Sequence, residues 1–316
     1  MQQSYAENVG LVEDGLSNTN IMNHEFIEID EVEVVRMTNL MKKRIEQTFI
    51  DVACICVLFF AIVLVHIYAE PVVRGFYCND TDIFNPYMDD IVSFMVVVTF
   101  GTLWPLFCII VIELFNSNIV KCFRKKIIIP ASSRKQFAVS VSHAASLFIL
   151  GLNLTLLITE IGKKLVGRLR PHFISVCQPN YSILNCTTTR NSNTIYNYID
   201  TSGSFCTNSD KAVKEARLSF PSGHSSFSTY CMIFLIIYIQ IRWRSIQTRF
   251  LKALIQIISF SAAYFTCLSR ISDFHHRGSD VIGGVCIGLF FAVFVTKFVD
   301  QESLKMSNRK TTSIIR

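Results

Sequence analysis

The sequence predicts an all-α fold, a polytopic membrane bundle of six transmembrane helices. Hydrophobic residues make up 51% of the 316 residues and charged residues only 17%, whereas a soluble domain carries about 25% charged residues. The apolar residues cluster into runs that approach the ~20 residues needed to cross a bilayer. The net charge of +6 is spread between these runs and forms no basic tail or patch. Membrane loops are therefore indicated, and no nucleic-acid partner is expected.

Six apolar stretches are long enough to span, and the fourth is short because its first turn draws on the polar segment SGHSS. The predicted spans are 49–69, 91–115, 137–161, 225–241, 250–268 and 281–299. They define one six-span domain over residues 45–300, between an N-terminal tail (1–44) and a C-terminal tail (301–316). The first tail is polar and acidic with no early apolar core, so we expect it to be disordered and to contain no cleavable signal peptide.

Basic residues set the orientation of the predicted spans. They concentrate before the first span, in the second and fourth loops and after the last span, and six crossings bring all these segments to one side. The positive-inside rule makes that side, with both termini, cytoplasmic. The acidic first loop, 70–90, then falls outside.

The loops assigned to the outside carry features of an oxidising compartment. Asn79 and Asn185 begin plausible glycosylation sequons. We expect one disulfide within the third loop, although four cysteines allow three pairings and the sequence does not decide among them. The four are Cys78, Cys177, Cys186 and Cys206. No cysteine pair has metal-ligand spacing, so a zinc site is not expected.

The segment GKKLVGRLRP, 162–171, places four cations on the outer side, against the orientation rule. Lys163 and Arg170 are seven residues apart and share a face if the helix of the third span continues to Pro171. Two cations on one face near an interface can hold an anion, although snorkelling to lipid head groups is an equal alternative. We assign Lys164 and Arg168 to head groups.

A second unusual segment, SRISDFHHRGSD at 269–280, lies between the fifth and sixth spans. His276 and Asp280 are four residues apart and would stack on one helical face. A carboxylate there can accept a hydrogen bond from one imidazole nitrogen and leave the other as a nucleophile. Arg270 lies six residues before His276. Such a pair alone is more often structural, and His275 is interpreted as a bystander.

The third segment, SFPSGHSS at 219–226, opens the fourth span. Ser222 and Gly223 offer backbone N–H groups at a helix start, which favours anions. Gly223 also permits close approach to a ligand, and His224 can protonate a leaving oxygen. With the other two segments it provides cations, backbone donors, a nucleophile and an acid at the outer face. Phosphoryl transfer requires these groups.

In order and spacing, the three segments resemble the signature of the type 2 phosphatidic acid phosphatase family, also called lipid phosphate phosphatases. The first part is Lys163, six residues and Arg170-Pro171. The second is Pro221-Ser222-Gly223-His224. The third is Ser269-Arg270, five residues, His276, three residues and Asp280. The resemblance covers roughly residues 45–300 and implies an exoplasmic active site.

The resemblance also implies a role for each matched residue. His276 attacks phosphorus and forms a phosphohistidine, Asp280 orients and charges it, and His224 protonates the leaving alkoxide and later activates water. No metal or other cofactor is implied. The implied phosphate-binding residues are Lys163, Arg170, Ser222, Gly223 and Arg270.

The function implied is hydrolysis of a lipid phosphate supplied by the bilayer: phosphatidic acid, lysophosphatidic acid, sphingosine-1-phosphate or ceramide-1-phosphate. The implied location is the plasma membrane, with an endomembrane left open, and a homo-oligomer also stays open. An endoplasmic reticulum phosphatase for a sugar phosphate or for sphingosine phosphate is disfavoured by the six spans. A catalytically weak member acting in interaction or lipid uptake is disfavoured by intact His224, His276 and Arg270.

Overall fold

The computed structural model describes residues 42, 46, 49–117, 131–180, 198–243 and 248–314. The chain divides into two compact units, Met1–Ile50 and Asp51–Arg316, and the site described below lies in the second. Apart from Lys42, the predicted N-terminal tail lies outside the described residues. The predicted C-terminal tail is helical as far as it is described, because the last helix continues to Ile314.

Eight α-helices account for almost all regular structure in the described ranges. Two are short, α4 (Phe173–Cys177) and α5 (Asp210–Glu215). The six long helices are α1 (Phe49–Tyr68), α2 (Phe94–Asn116), α3 (Ala131–Val166), α6 (Gly223–Arg242), α7 (Arg249–Ser272) and α8 (Gly278–Ile314). Each long helix contains a segment long and apolar enough to cross a membrane. The predicted polytopic helical bundle of six spans is thus confirmed.

The fourth span begins two residues earlier than predicted. Ser222 is the N-cap of α6, and its side chain accepts a hydrogen bond from the backbone N–H of Ser225. A serine at this position satisfies one of the otherwise unpaired donors of a first turn. The helix therefore begins at Gly223, and His224 lies within its first turn.

Helix α6 is the central helix of the bundle and contacts α2, α3, α7 and α8. Helices in lipid gain little from the hydrophobic effect, so close packing of small residues matters more. Gly284 and Gly288 of α8 provide it, because a Cβ at either would lie 2.5 Å from a carbonyl oxygen of α6 or its cap, those of Ser222 and Ser226. This contact fixes the start of α8 beside the start of α6.

At the opposite end of α6 a buried carboxylate joins α6 to α2. Glu113 is 3% exposed and accepts hydrogen bonds from Tyr238 Oη at 2.7 Å and from the Arg242 guanidinium at 2.7 and 2.8 Å. A buried ion pair needs such additional hydrogen bonds to offset desolvation of its charges.

Replacing Glu113 by alanine is expected to lower the free energy of unfolding by about 3–5 kcal/mol, because Arg242 would be left in a poorly hydrated position without its carboxylate. The measurement is the free energy of unfolding of the variant and of the wild type in mixed micelles. Glu70→Ala is the matched control, because Glu70 pairs with Lys214 while 77% exposed, and it should leave stability nearly unchanged. Equal effects of the two variants would contradict the assigned role of Glu113.

Outside the spans, the loops form a compact layer over one end of the bundle. Two short antiparallel strands, β1 (Phe76–Tyr77) and β2 (Tyr198–Ile199), pair there. The buried Arg217 donates hydrogen bonds to Thr201 Oγ1 at 2.7 Å and to Thr201 O at 2.9 Å, and it joins this two-stranded sheet to the segment before α6.

A disulfide also holds this layer. Cys177 and Cys206 are bonded, with their Cα atoms 4.7 Å apart, which is one of the pairings that the sequence left open. Cys78 is disulfide-bonded as well. Cys186 and Asn185 lie outside the described residues, whereas Asn79 lies on the surface of the layer.

Candidate active site

The three motif segments meet at one end of the bundle, where α3 and α7 end and α6 and α8 begin. A Cβ added to Gly223 would lie 3.0 Å from Lys163 Nζ, and His276 Nδ1 lies 2.7 Å from the carbonyl oxygen of Ser219. The charges of Lys163 and Arg170 act on both imidazoles of the site, those of His224 and His276. Residues more than a hundred positions apart therefore share one cationic pocket.

The hydrogen bond made by the His276 ring fixes its tautomer. A carbonyl oxygen can only accept, so Nδ1 donates its proton to Ser219 O and Nε2 carries the lone pair. Burial, with the positive charges of Arg170 and Lys163, holds the pKa of the His276 imidazole well below its ordinary value. The imidazole is neutral at neutral pH and needs to lose no proton before Nε2 attacks an electrophile.

The expected stacking of His276 and Asp280 on one helical face is wrong. Helix α8 begins at Gly278, so His276 precedes it. The Asp280 carboxylate accepts instead from Arg168 Nη1 at 2.7 Å, from Ser219 Oγ at 2.6 Å and from the Arg277 N–H at 3.0 Å. It therefore does not bond the His276 imidazole. The assignment of Arg168 to lipid head groups is also wrong, because its guanidinium binds the fully buried Asp280.

His224 presents an unused nitrogen to the pocket. Its ring packs edge-on against Phe94, the first residue of α2, with ring centroids 5.8 Å apart. Its Nε2 is buried and has no hydrogen-bond partner among the described residues. Buried side-chain nitrogens are normally paired, so a ligand oxygen at this position would satisfy it.

Each predicted phosphate-binding cation is paired with a carboxylate from outside the motifs. The pairs are Lys163–Glu160 at 2.9 Å, Arg170–Glu215 at 2.7 Å and Arg270–Asp90 at 2.7 Å. Of these cations, Arg170 keeps a buried Nε with no hydrogen-bond partner in the described part of the chain. The carboxylates hold the cations in place and temper the positive field of the pocket.

Lys163 and Arg170 reach the pocket without sharing a helical face, contrary to the expectation. Helix α3 ends at Val166, and Gly167 follows with a φ of +57°. A Cβ at Gly167 would lie 2.0 Å from Val72 O, so both the backbone conformation and the close contact require glycine. Lys163 is therefore positioned by the helix and Arg170 by the loop after it.

Arg270 is the most enclosed of the three cations, with 1% of its surface exposed. Its guanidinium contacts the carboxylates of both Asp90 and Asp273. Asp90, Asp273 and His275 also offer ligand atoms within 4.8 Å of one another, a spacing compatible with a metal ion. The guanidinium already forms ion pairs with both carboxylates of this cluster, so Arg270 takes the place that a cation would occupy.

Ser222 and Gly223 contribute differently from each other. The Ser222 N–H donates to Asp280 O at 3.0 Å, so the expectation that it is free for an anion is wrong. Gly223 begins α6, and first-turn amides such as its own and that of His224 have no partner within a helix. These two N–H groups are the backbone donors that the pocket retains.

Besides Glu160, Glu215 and Asp273, which pair with the cations, three further residues of this site are not matched motif positions: Arg168, Ser219 and Asp90. Arg168 lies inside the first motif segment and Ser219 two residues before the second, but neither is a matched position. Asp90 belongs to the acidic first loop, where nothing distinguishes it from its neighbour Asp89. Their roles depend on contacts between segments distant in the chain.

Comparison with known proteins identifies relatives of this site. The model of the PAP2 superfamily matches residues 144–303. "Phospholipid phosphatase 1" of Mus musculus is 32% identical over 260 residues, covering 82% of this chain and 87% of that protein. "Phospholipid phosphatase 2" of Mus musculus is 30% identical over 264 residues, with coverages of 83% and 88%. "Putative phosphatidate phosphatase" of Drosophila melanogaster is 32% identical over 261 residues, covering 80% and 68%. No solved structure matches the chain.

Proposed function

The chain belongs to the PAP2 superfamily and is a multi-pass membrane phosphatase, and on that premise we propose that it hydrolyses lipid phosphomonoesters through a phosphohistidine on His276. The observation that carries the proposal is the pairing of two imidazoles in one cationic pocket. His276 Nδ1 is fixed as a donor by Ser219 O, which leaves Nε2 as the nucleophile. His224 Nε2 is buried and unpartnered, which suits a leaving-group oxygen.

The reaction proceeds in two displacements. In the first, His276 Nε2 forms a bond to phosphorus as the phosphorus–alkoxide bond breaks, and protonated His224 gives its proton to the leaving oxygen. In the second, His224 takes a proton from water, the hydroxide attacks phosphorus, and the bond to Nε2 breaks to release phosphate. Arg170 Nε and the first-turn amides of α6 stabilise the equatorial oxygens in both steps.

A lipid substrate fits the location of the pocket at the ends of membrane-spanning helices. Phe94, which packs on His224, is followed along α2 by exposed apolar side chains, among them Met95, Phe100 and Leu103. A lipid diffusing in the bilayer can thus bring its head group to the pocket while its acyl chains stay in the apolar phase. The proposed substrates are phosphatidic acid, lysophosphatidic acid, sphingosine-1-phosphate and ceramide-1-phosphate.

We place the pocket on the extracellular side of the plasma membrane, with both termini in the cytoplasm. The support is the positive-inside pattern of the loops and the Cys177–Cys206 disulfide in the layer that surrounds the pocket, since disulfides persist in oxidising compartments.

The test is phosphate release by the purified protein in detergent with EDTA present. We expect hydrolysis of the four lipid phosphates at rates that EDTA does not change, because fixed cations replace a metal in the mechanism. Glucose-6-phosphate is the water-soluble control and should be a poor substrate. Loss of activity in EDTA, or release from glucose-6-phosphate alone, would overturn the proposal.

A further inference from the structure

We propose that Ser219 and Arg168 are positioning residues, and that Asp280 acts on the nucleophile through Ser219. The inference rests on the proposed function of His276. It replaces a direct carboxylate–imidazole contact with a chain of hydrogen bonds, and it assigns a role to two residues outside the matched motif positions.

Ser219 uses every one of its polar groups within this chain of bonds. Its carbonyl accepts from His276 Nδ1 at 2.7 Å, its hydroxyl donates to Asp280 Oδ2 at 2.6 Å, and its N–H donates to Arg168 O at 3.0 Å. It is also fully buried. Ser219 is therefore held by Asp280 through its hydroxyl and by Arg168 through its N–H. The direction of its carbonyl, which orients the imidazole, depends on the bond to Asp280.

Arg168 closes the chain of bonds into a ring. Its backbone carbonyl holds the Ser219 N–H, and its guanidinium binds the other carboxylate oxygen of Asp280 at 2.7 Å. The positive charge balances that of Asp280, which lies in a fully buried position. A carboxylate held by a charged donor in this way stays in position to accept from the Ser219 hydroxyl.

The consequence for the reaction is geometric. Attack at phosphorus requires the Nε2 lone pair to point at the phosphorus atom, and a small misplacement of a reacting group costs about 100-fold in rate. Losing the Ser219 hydroxyl leaves its carbonyl in place but frees the peptide to rotate. We expect a lower rate of phosphoenzyme formation with little change in substrate affinity, because the phosphate-binding cations are untouched.

The test is a double-mutant cycle of Ser219→Ala and Asp280→Ala, with kcat and KM for phosphatidic acid and the rate of phosphoenzyme formation as readouts. Each single variant should lose roughly 10- to 100-fold in kcat, with KM within about twofold of the wild type. Both substitutions remove the same hydrogen bond, that from Ser219 Oγ to Asp280 Oδ2. The kcat of the double variant should therefore be no lower than that of the slower single variant. Arg168→Lys, which retains the charge, should keep more activity than Arg168→Gln.

Ser272→Ala is the matched control, because within the described part of the chain its hydroxyl bonds the Leu268 carbonyl of its own helix, α7, and no residue of the site, and it should behave as the wild type. Losses that multiply in the double variant, or a Ser219→Ala enzyme with wild-type kcat, would overturn the inference while leaving the proposed function intact. A wild-type protein that hydrolyses no lipid phosphate would overturn both. If Asp280→Ala does not accumulate, Arg168→Gln takes its place in the cycle with the same expected result.

Discussion

Replacing His276 by alanine is expected to lower hydrolysis of phosphatidic acid by at least about 10⁴-fold, because the nitrogen that forms the bond to phosphorus is lost and His224 is used as the proton donor. The side chain is almost fully buried, but its removal leaves the spans and the Cys177–Cys206 disulfide unchanged. Protein yield and thermal stability should therefore stay close to those of the wild type. The measurement is release of inorganic phosphate by equal amounts of the two purified proteins.

His66→Ala provides a histidine control for this loss, since the His66 side chain is 72% exposed and contacts only the far oxygen of Glu160, at 3.6 Å, among the described residues. The 2.9 Å bond between Glu160 and Lys163 stays in place in this variant. We expect its activity to match the wild type. A His276→Ala protein with full activity would end the proposed mechanism.

Replacing His224 by alanine should have the second largest effect, a loss of about 10²- to 10⁴-fold in kcat for phosphatidic acid. The leaving group of this substrate is an alkoxide, which needs a proton as the bond to phosphorus breaks. The buried Nε2 of His224 has no partner among the described residues, so it is available to give its proton to the leaving oxygen.

A substrate with a different leaving group tests whether His224 acts as a general acid or has only a structural role. With p-nitrophenyl phosphate, whose leaving group needs no proton, the His224→Ala protein should still form the phosphoenzyme and release p-nitrophenol in a burst. Its hydrolysis should then stall, because His224 also activates the water. Equal losses on both substrates, with no burst, would contradict the role assigned to His224.

The sequence is sufficient for the helical fold and for the three motif segments that the structure brings together, but not for Arg168, Ser219 or Asp90. Spans of about 20 apolar residues are read directly from composition because the bilayer core imposes their length. The motif residues can be recognised because each combines an unusual side chain with a position at or just beyond the end of a predicted span. Lys163, His224 and His276 reach one pocket since α3 ends, and α6 and α8 begin, at the same end of the bundle.

The details of the site could not be obtained from spacing. Spacing arguments assumed that the helices run through Lys163–Arg170 and His276–Asp280, whereas α3 ends at Val166 and α8 begins at Gly278. Helix ends are decided by caps and by tertiary contacts, such as that of Gly167 with Val72 O. The hydrogen bond that His276 donates to Ser219 O joins residues 57 positions apart, so no local sequence pattern predicts it.

The most direct measurement of the central claim is the location of the covalent phosphate. The His224→Ala protein is mixed with an activated phosphate ester and quenched rapidly without acid. Mass spectrometry of its peptides locates the phosphorylated residue, and ³¹P NMR of the phosphoprotein distinguishes the two ring nitrogens. We expect one phosphate, on Nε2 of His276. Phosphate on Nδ1, on another residue, or on no residue at all in a protein that still releases p-nitrophenol would contradict the account.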